Sequence, residues 1–348
     1  MQHRRITLRH DNHVTRRHLD SAFPRGLETN LPFADFGKSP RRFSFLGALL
    51  LAIIVADPVI ATEGGGTSKA LGVDTVLSGV MPPPGLRLTT FVAYYDADHT
   101  LDSSGHDRAG ITNFNVHASA VTPRLQYVWS GVELWGASIE TRLGLSAYVD
   151  AHVSFDVQTP GGKIHRESSS TGIGDALVGP ALLGWHYERF HQIAGVEFFL
   201  PAGKFDKTKL ANTSRGYYAV GPAYLFTWFP TDAIEVSGSL IYLINQKNHD
   251  TNYRSGDEVS FDYGLGYALT PAWQIGANGY LYKQITDDKQ NGQVFGNGNR
   301  GQVLAIGPFV RYHPSPDWGI TLKWQHEGQV ENKTRGNRFF LQVALKLF

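Results

Sequence analysis

The stretch DADHTLDSSGHD carries carboxylates at Asp96, Asp98, Asp102 and Asp107, with an acid at its twelfth position. That is the outline of an oxygen-rich calcium loop, but the sixth position is Leu101, where an EF-hand requires glycine for its turn. The stretch therefore reads as a solvated loop. His99 and His106 offer imidazoles to a metal, yet no His pair has the His-x-x-x-His helical setting of a metalloprotease. TGIGD at 171–175 precedes a strand pattern instead of opening a helix, so it is no phosphate cradle. A nucleophilic hydrolase needs a Ser–His pair oriented by a third group, and no local arrangement suggests one. Cysteine is absent, which removes thiol catalysis, disulfide frameworks and Cys-ligated zinc. The sequence assigns no catalytic, metal-binding or cofactor-binding residue.

A second polar set is defined by alternation. In ASIETRLGLSAYVDAHVSF, the residues Ile139, Thr141, Leu143, Leu145, Ala147, Val149, Ala151, Val153 and Phe155 fall on one face. Glu140, Arg142, Asp150 and His152 fall on the other. A period of two held over 17 residues carries no helical signal. Strands of globular proteins run about 3–10 residues, whereas tilted membrane-spanning strands need about 9–11 and extend beyond the bilayer. The pattern recurs at 258–269, where Glu258 and Asp262 oppose Val259, Phe261, Tyr263, Leu265, Tyr267 and Leu269. It recurs at 234–244, where Glu235, Ser237 and Ser239 oppose apolar residues, and at 318–325, where Lys323 opposes Trp318, Ile320, Leu322 and Trp324. The last strand sets Phe339, Leu341, Val343, Leu345 and Leu347 against Gln342, Ala344 and Lys346.

Twelve strands are expected, at about 85–95, 112–129, 137–155, 172–187, 190–200, 216–229, 232–246, 257–269, 272–286, 300–313, 317–328 and 336–348. Long polar links such as DVQTPGGKIHRESSS and QKNHDTNYRSGDE alternate with short ones such as HYERF, PT, TP and PSP. An even strand count with alternating long loops and short turns is the plan of an outer-membrane barrel. The fold expected is all-β, an antiparallel transmembrane β-barrel with both chain ends in the periplasm and a short segment before its first strand. Its last strand pairs with its first, because an open edge in lipid costs several kcal/mol per orphaned group. A chain ending on Phe348 at the end of such a strand resembles the signal read by the barrel assembly machinery. Glu140, Arg142, Asp150, His152, Glu258, Asp262 and Lys323 are then lumen-lining candidates, read as an interior salt-bridge network or as a charged selectivity constriction.

Composition agrees with short strands and turns: 20 Phe, 15 Tyr, 7 Trp and 38 Gly, with only two Met. The formal charge of +1 mixes two regions, since residues 1–61 hold nine of the 32 basic and five of the 31 acidic residues. The remainder is weakly acidic with scattered charge, which gives no footprint for nucleic acid. Arg41 and Arg42 precede a 12-residue apolar run from Phe45 to Ala56, broken by Pro58. The run is too short to span a bilayer and reads as a secretory signal cut after Ala61. Residues 1–61 are thus an N-terminal extension plus signal peptide, 62–84 a periplasmic or lumenal segment, and 85–348 the barrel. Leu71, Val76, Leu77 and Val80 suit a short apolar helix tucked into the lumen as a plug, with a disordered periplasmic tail as the other reading.

MPPPG (81–85), TGIGD (171–175), GWH (184–186), LPAGKFD (200–206), YRSGDE (253–258) and QITDDK (284–289) form an ordered series. It resembles the family of meta-pathway phenol-degradation proteins, from about residue 62 to the C-terminus. The resemblance implies an outer-membrane barrel concerned with passage of aromatic or other hydrophobic solutes, and it supplies no reaction. The partners it implies are outer-membrane lipid and lipopolysaccharide, the assembly machinery, and a small hydrophobic or aromatic solute. A structural or adhesive barrel and a lipolytic outer-membrane enzyme are the alternative readings.

Overall fold

The computed structural model describes residues 65–348, so the expected signal sequence lies outside the described residues. In chain order the strands are β1 (Gly85–Thr100), β2 (Ile111–Leu134), β3 (Ala137–Leu145), β4 (Tyr148–Thr159), β5 (Gly162–Gly172) and β6 (Ala176–His186). There follow β7 (Phe190–Leu200), β8 (Ala219–Trp228), β9 (Ile234–Asn245), β10 (Tyr253–Arg254), β11 (Glu258–Ala268) and β12 (Trp273–Gln284). The last are β13 (Lys289–Gln290), β14 (Gln293–Val294), β15 (Gln302–Ser315), β16 (Trp318–Glu331) and β17 (Thr334–Lys346). Twelve of them close a ring in the order β1-β17-β16-β15-β12-β11-β9-β8-β7-β6-β3-β2, with β2 paired back to β1. The closing seam runs from Arg87↔Lys346 to Thr100↔Thr334, and Leu86 N donates to Phe348 O at 2.9 Å. β17 thereby supplies the paired edge that β1 requires in lipid. The β10, β13 and β14 pieces form a small separate sheet within the long loops.

The faces obey the inside-out rule of a membrane barrel. Leu240 (43 % exposed), Leu265 (54 %) and Leu322 (51 %) point outward, while their strand neighbours Ser239, Asp262 and Lys323 are buried inside. Trp135, Tyr187, Trp228, Tyr267, Trp273 and Trp318 are exposed near the short turns. They form an aromatic girdle of the kind that sits at a membrane–water interface.

One expected strand is not continuous. The run 137–155 breaks at Ser146 and Ala147 into β3 and β4. Arg124 pairs with Gly144 and Val121 pairs with Tyr148, so four steps on one side match three on β2. The additional residue is a bulge, and a one-residue slip sends every later side chain to the opposite face. Leu143 and Leu145 therefore face outward, while Val153 and Phe155 face inward and pack with Phe114, Val116 and Ala211. Asp150 and His152 consequently leave the lumen face on which alternation had set them. Asp150 accepts from Thr171 Oγ1 at 2.5 Å, and His152 stacks on His117 with ring centroids 6.5 Å apart. β4 continues the line of β3 along the same edge of β2, and beyond the bulge its outer neighbour is β5 instead of β6.

Candidate functional site

The site is the lumen, together with residues 65–84 that run through it. Gly65 O accepts from Lys333 Nζ at 2.6 Å at the long-loop end, and Gly85 opens β1 at the opposite end beside Phe348. The strand ends Gly85 and Phe348 share the short-turn end, as expected, but the described chain before them begins at the other. No helix forms in 66–84. Leu71, Val73 and Met81 are buried, but along an irregular path fixed by polar groups of the wall.

Asp262 is the central anchor. It accepts Lys69 Nζ at 2.6 Å, Gly72 N at 2.9 Å and Asp74 N at 3.1 Å. From the facing wall Lys323 Nζ donates to Val73 O at 2.6 Å and Gln325 Nε2 to Gly72 O at 3.0 Å. Arg124 Nη1 donates to Asp74 Oδ1 at 2.8 Å. Toward the turns, Leu77 N donates to Glu235 at 2.6 Å and Gly79 N to Thr227 Oγ1 at 3.0 Å. Toward the loops, Thr67 Oγ1 donates to Glu258 at 2.5 Å. The segment approaches so closely that a Cβ on Gly264 would stand 2.0 Å from Thr75 O. Glycine at 264 is what makes room.

Of the seven candidates, Glu258, Asp262 and Lys323 hold the segment. Glu140 and Arg142 lie on the wall, where Arg142 bridges Glu140 (2.8 Å) and Glu197 (3.0 Å). Asp150 lies outside, and His152 stacks on His117 at the border of the cavity described next. Sequence reasoning missed Glu197, Arg124, Gln274, Glu327 and Arg338 as lumen residues; Glu327 accepts from Tyr95 at 2.8 Å and Arg338 at 3.2 Å. Their positions follow from the same alternation once the register is known; Glu327 continues the Lys323 face two residues beyond the alternating run 318–325. Asp102 of the first long loop accepts Ser104 N at 2.8 Å and His106 N at 3.1 Å, and these bonds lower its pKa. It closes a local turn.

Above the segment, at the long-loop end, lies a cavity of about 500 Å³ lined by residues 65–71, β4, the 205–215 loop and the β16–β17 connection.

A closed twelve-strand barrel with a lipid-facing apolar exterior and a polar lumen crossed by its own N-terminal segment defines an integral outer-membrane β-barrel protein. The chain belongs to the family described as "Putative MetA-pathway of phenol degradation", whose model matches residues 97–343. Its fold is similar to that of an outer membrane channel from Pseudomonas putida F1, with TM-score 0.66 and 13 % identity over 79 % of this chain and 100 % of that one. A Pseudomonas aeruginosa FadL homologue is more distant, with TM-score 0.38 and 11 % identity over 84 % and 99 % of the two chains. No curated protein matches the sequence.

Proposed function

We propose that the protein is an outer-membrane channel for small hydrophobic and aromatic compounds, linked to aromatic catabolism, and that it catalyses no reaction. The observation that carries this reading is the lumenal segment. It is bound to the wall by hydrogen bonds and ion pairs, and its only covalent tie within the described residues is at Gly85. A removable occupant in a polar lumen is the arrangement of a gated path. Strand number supports it, since about eight strands leave a filled interior and 16–18 an open aqueous channel. The family description supplies the aromatic link. In this reading the short turns and Phe348 face the periplasm and the long loops face outward, in contact with lipopolysaccharide. Cleavage after Ala61 starts the mature chain at Thr62, and the assembly machinery inserts the barrel.

Liposome swelling tests the proposal. Proteoliposomes are expected to swell faster in phenols than in sugars of equal osmolarity. A correctly assembled barrel that passes neither solute would favour the structural reading.

A further inference from the structure

The cavity at the long-loop end has two unlike halves. The apolar half is a product of the β3–β4 bulge: Val149, Ala151 and Val153 line it from β4, with Phe114 and Val116 from β2 and Leu210 from the loop above. The polar half is cationic. Lys207, Lys209, Arg215 and Lys333 line the same space, and none of the four forms an ion pair among the described residues. Lys209 Nζ reaches only Ser169 O (3.4 Å) and Ser170 Oγ (3.5 Å), and Lys333 Nζ reaches Gly65 O.

The lining has two acids. Glu327 accepts from Tyr95, Tyr280, Gly336 N and Arg338, while Asp175 accepts only Arg215 N at 2.9 Å and offsets one of the four cations. The two remaining cations of the lining, Lys69 and Arg338, are matched by Asp262 and Glu327. The space therefore carries a surplus of positive charge beside an apolar wall, which raises the local concentration of anions.

We propose that this cavity binds small organic anions with an apolar body, aromatic monocarboxylates foremost, in preference to neutral or cationic rings. The carboxylate meets Lys207, Lys209 and Arg215, and the ring lies on Val149, Ala151, Val153 and Phe114. Its volume is within the roughly 300–1,000 Å³ of small-molecule sites. As the outer chamber of the path, the cavity serves transport only if the channel reading holds, but binding is measurable without it.

The experiment is calorimetric titration of the full-length protein in detergent with benzoate, benzyl alcohol and benzylammonium, one ring with three charges, and with acetate as the ringless anion. Benzoate is expected to bind tightest, benzylammonium weakest, and acetate well below benzoate. Changing Lys207→Gln and Lys209→Gln together should weaken benzoate about fivefold and shrink its advantage over benzyl alcohol. Both lysines lie in a loop outside the strands, and slower gel migration on boiling checks that the variant barrel is folded. Equal affinity across the charge series, or an unchanged advantage in the folded double variant, overturns the proposal. The two readings fail separately. Swelling in phenol without benzoate preference sinks the anion site and leaves the channel. Benzoate preference in a barrel that passes no solute leaves the anion site and sinks the channel.

Discussion

Asp262 shows how much can rest on one carboxylate. Replacing it by alanine leaves Lys69 without its 2.6 Å partner and frees Gly72 N and Asp74 N of their acceptor. Breaking a buried ion pair by removing one partner costs about 3–5 kcal/mol. The loss falls on the segment's attachment, because the twelve-strand ladder makes no use of the Asp262 side chain. Asp262→Ala is therefore expected to assemble normally by heat-modifiable migration, while protease cleaves residues 65–80 faster. An unchanged cleavage rate would mean that Asp262 is not the anchor. Lys333 gives a pH dependence. Burial holds it down at about 8; Glu258 and Glu327 oppose this, and Arg338 and Arg215 add to it, with the Tyr282 ring 4.3 Å away. Between about 8 and its ordinary 10.5 the unfolded chain binds the proton and the folded one does not. Stability therefore rises with pH across that window, whereas the cation available to an anion is lost. The temperature of barrel melting should climb from pH 7.5 to 9.5, and Lys333→Met should flatten that rise.

At the scale of elements, the β3–β4 bulge makes the sharpest prediction. His152→Cys should react with a membrane-impermeant maleimide on intact cells, and Val153→Cys should be protected by Phe114 and Ala211. The reverse result would restore the unbroken strand. Alternation, with the spacing of long and short links for the poorly alternating 172–187 and 300–313, located the twelve barrel strands and put Glu140, Arg142, Glu258, Asp262 and Lys323 inside. It misplaced Asp150 and His152 because a period of two carries no mark of phase. When one residue is inserted, the apolar set stays on odd numbers and changes its side of the sheet. The segment 65–84 was legible only as apolar. Its spacing of Leu71, Val76, Leu77 and Val80 suggested a helix, but backbone N–H groups at Gly72, Asp74, Leu77 and Gly79 bond instead to wall side chains on strands more than 140 residues away. No local pattern carries that information.

At the scale of the whole molecule, two structures share one space: a barrel stable through its closed ladder, and a strand-length segment that occupies its interior. Their independence is testable because the bonds between them are side-chain bonds, whereas those that close the ring are backbone bonds of β1 to β17 and β2. Deleting residues 66–80 removes the groups that Asp262, Lys323, Gln325, Glu235 and Thr227 now hold. It leaves Met81 and the tripeptide Pro82-Pro83-Pro84 to lead into β1. The vacated wall is polar and lined by both signs of charge, so it hydrates instead of collapsing. The deletion variant should therefore assemble, and in planar bilayers its single-channel conductance should exceed that of the full chain several-fold, with weaker discrimination between phenols and sugars. An assembled variant whose conductance equals that of the full chain would show that the lumenal segment does not limit passage, and the gate would then have to be sought among the long loops.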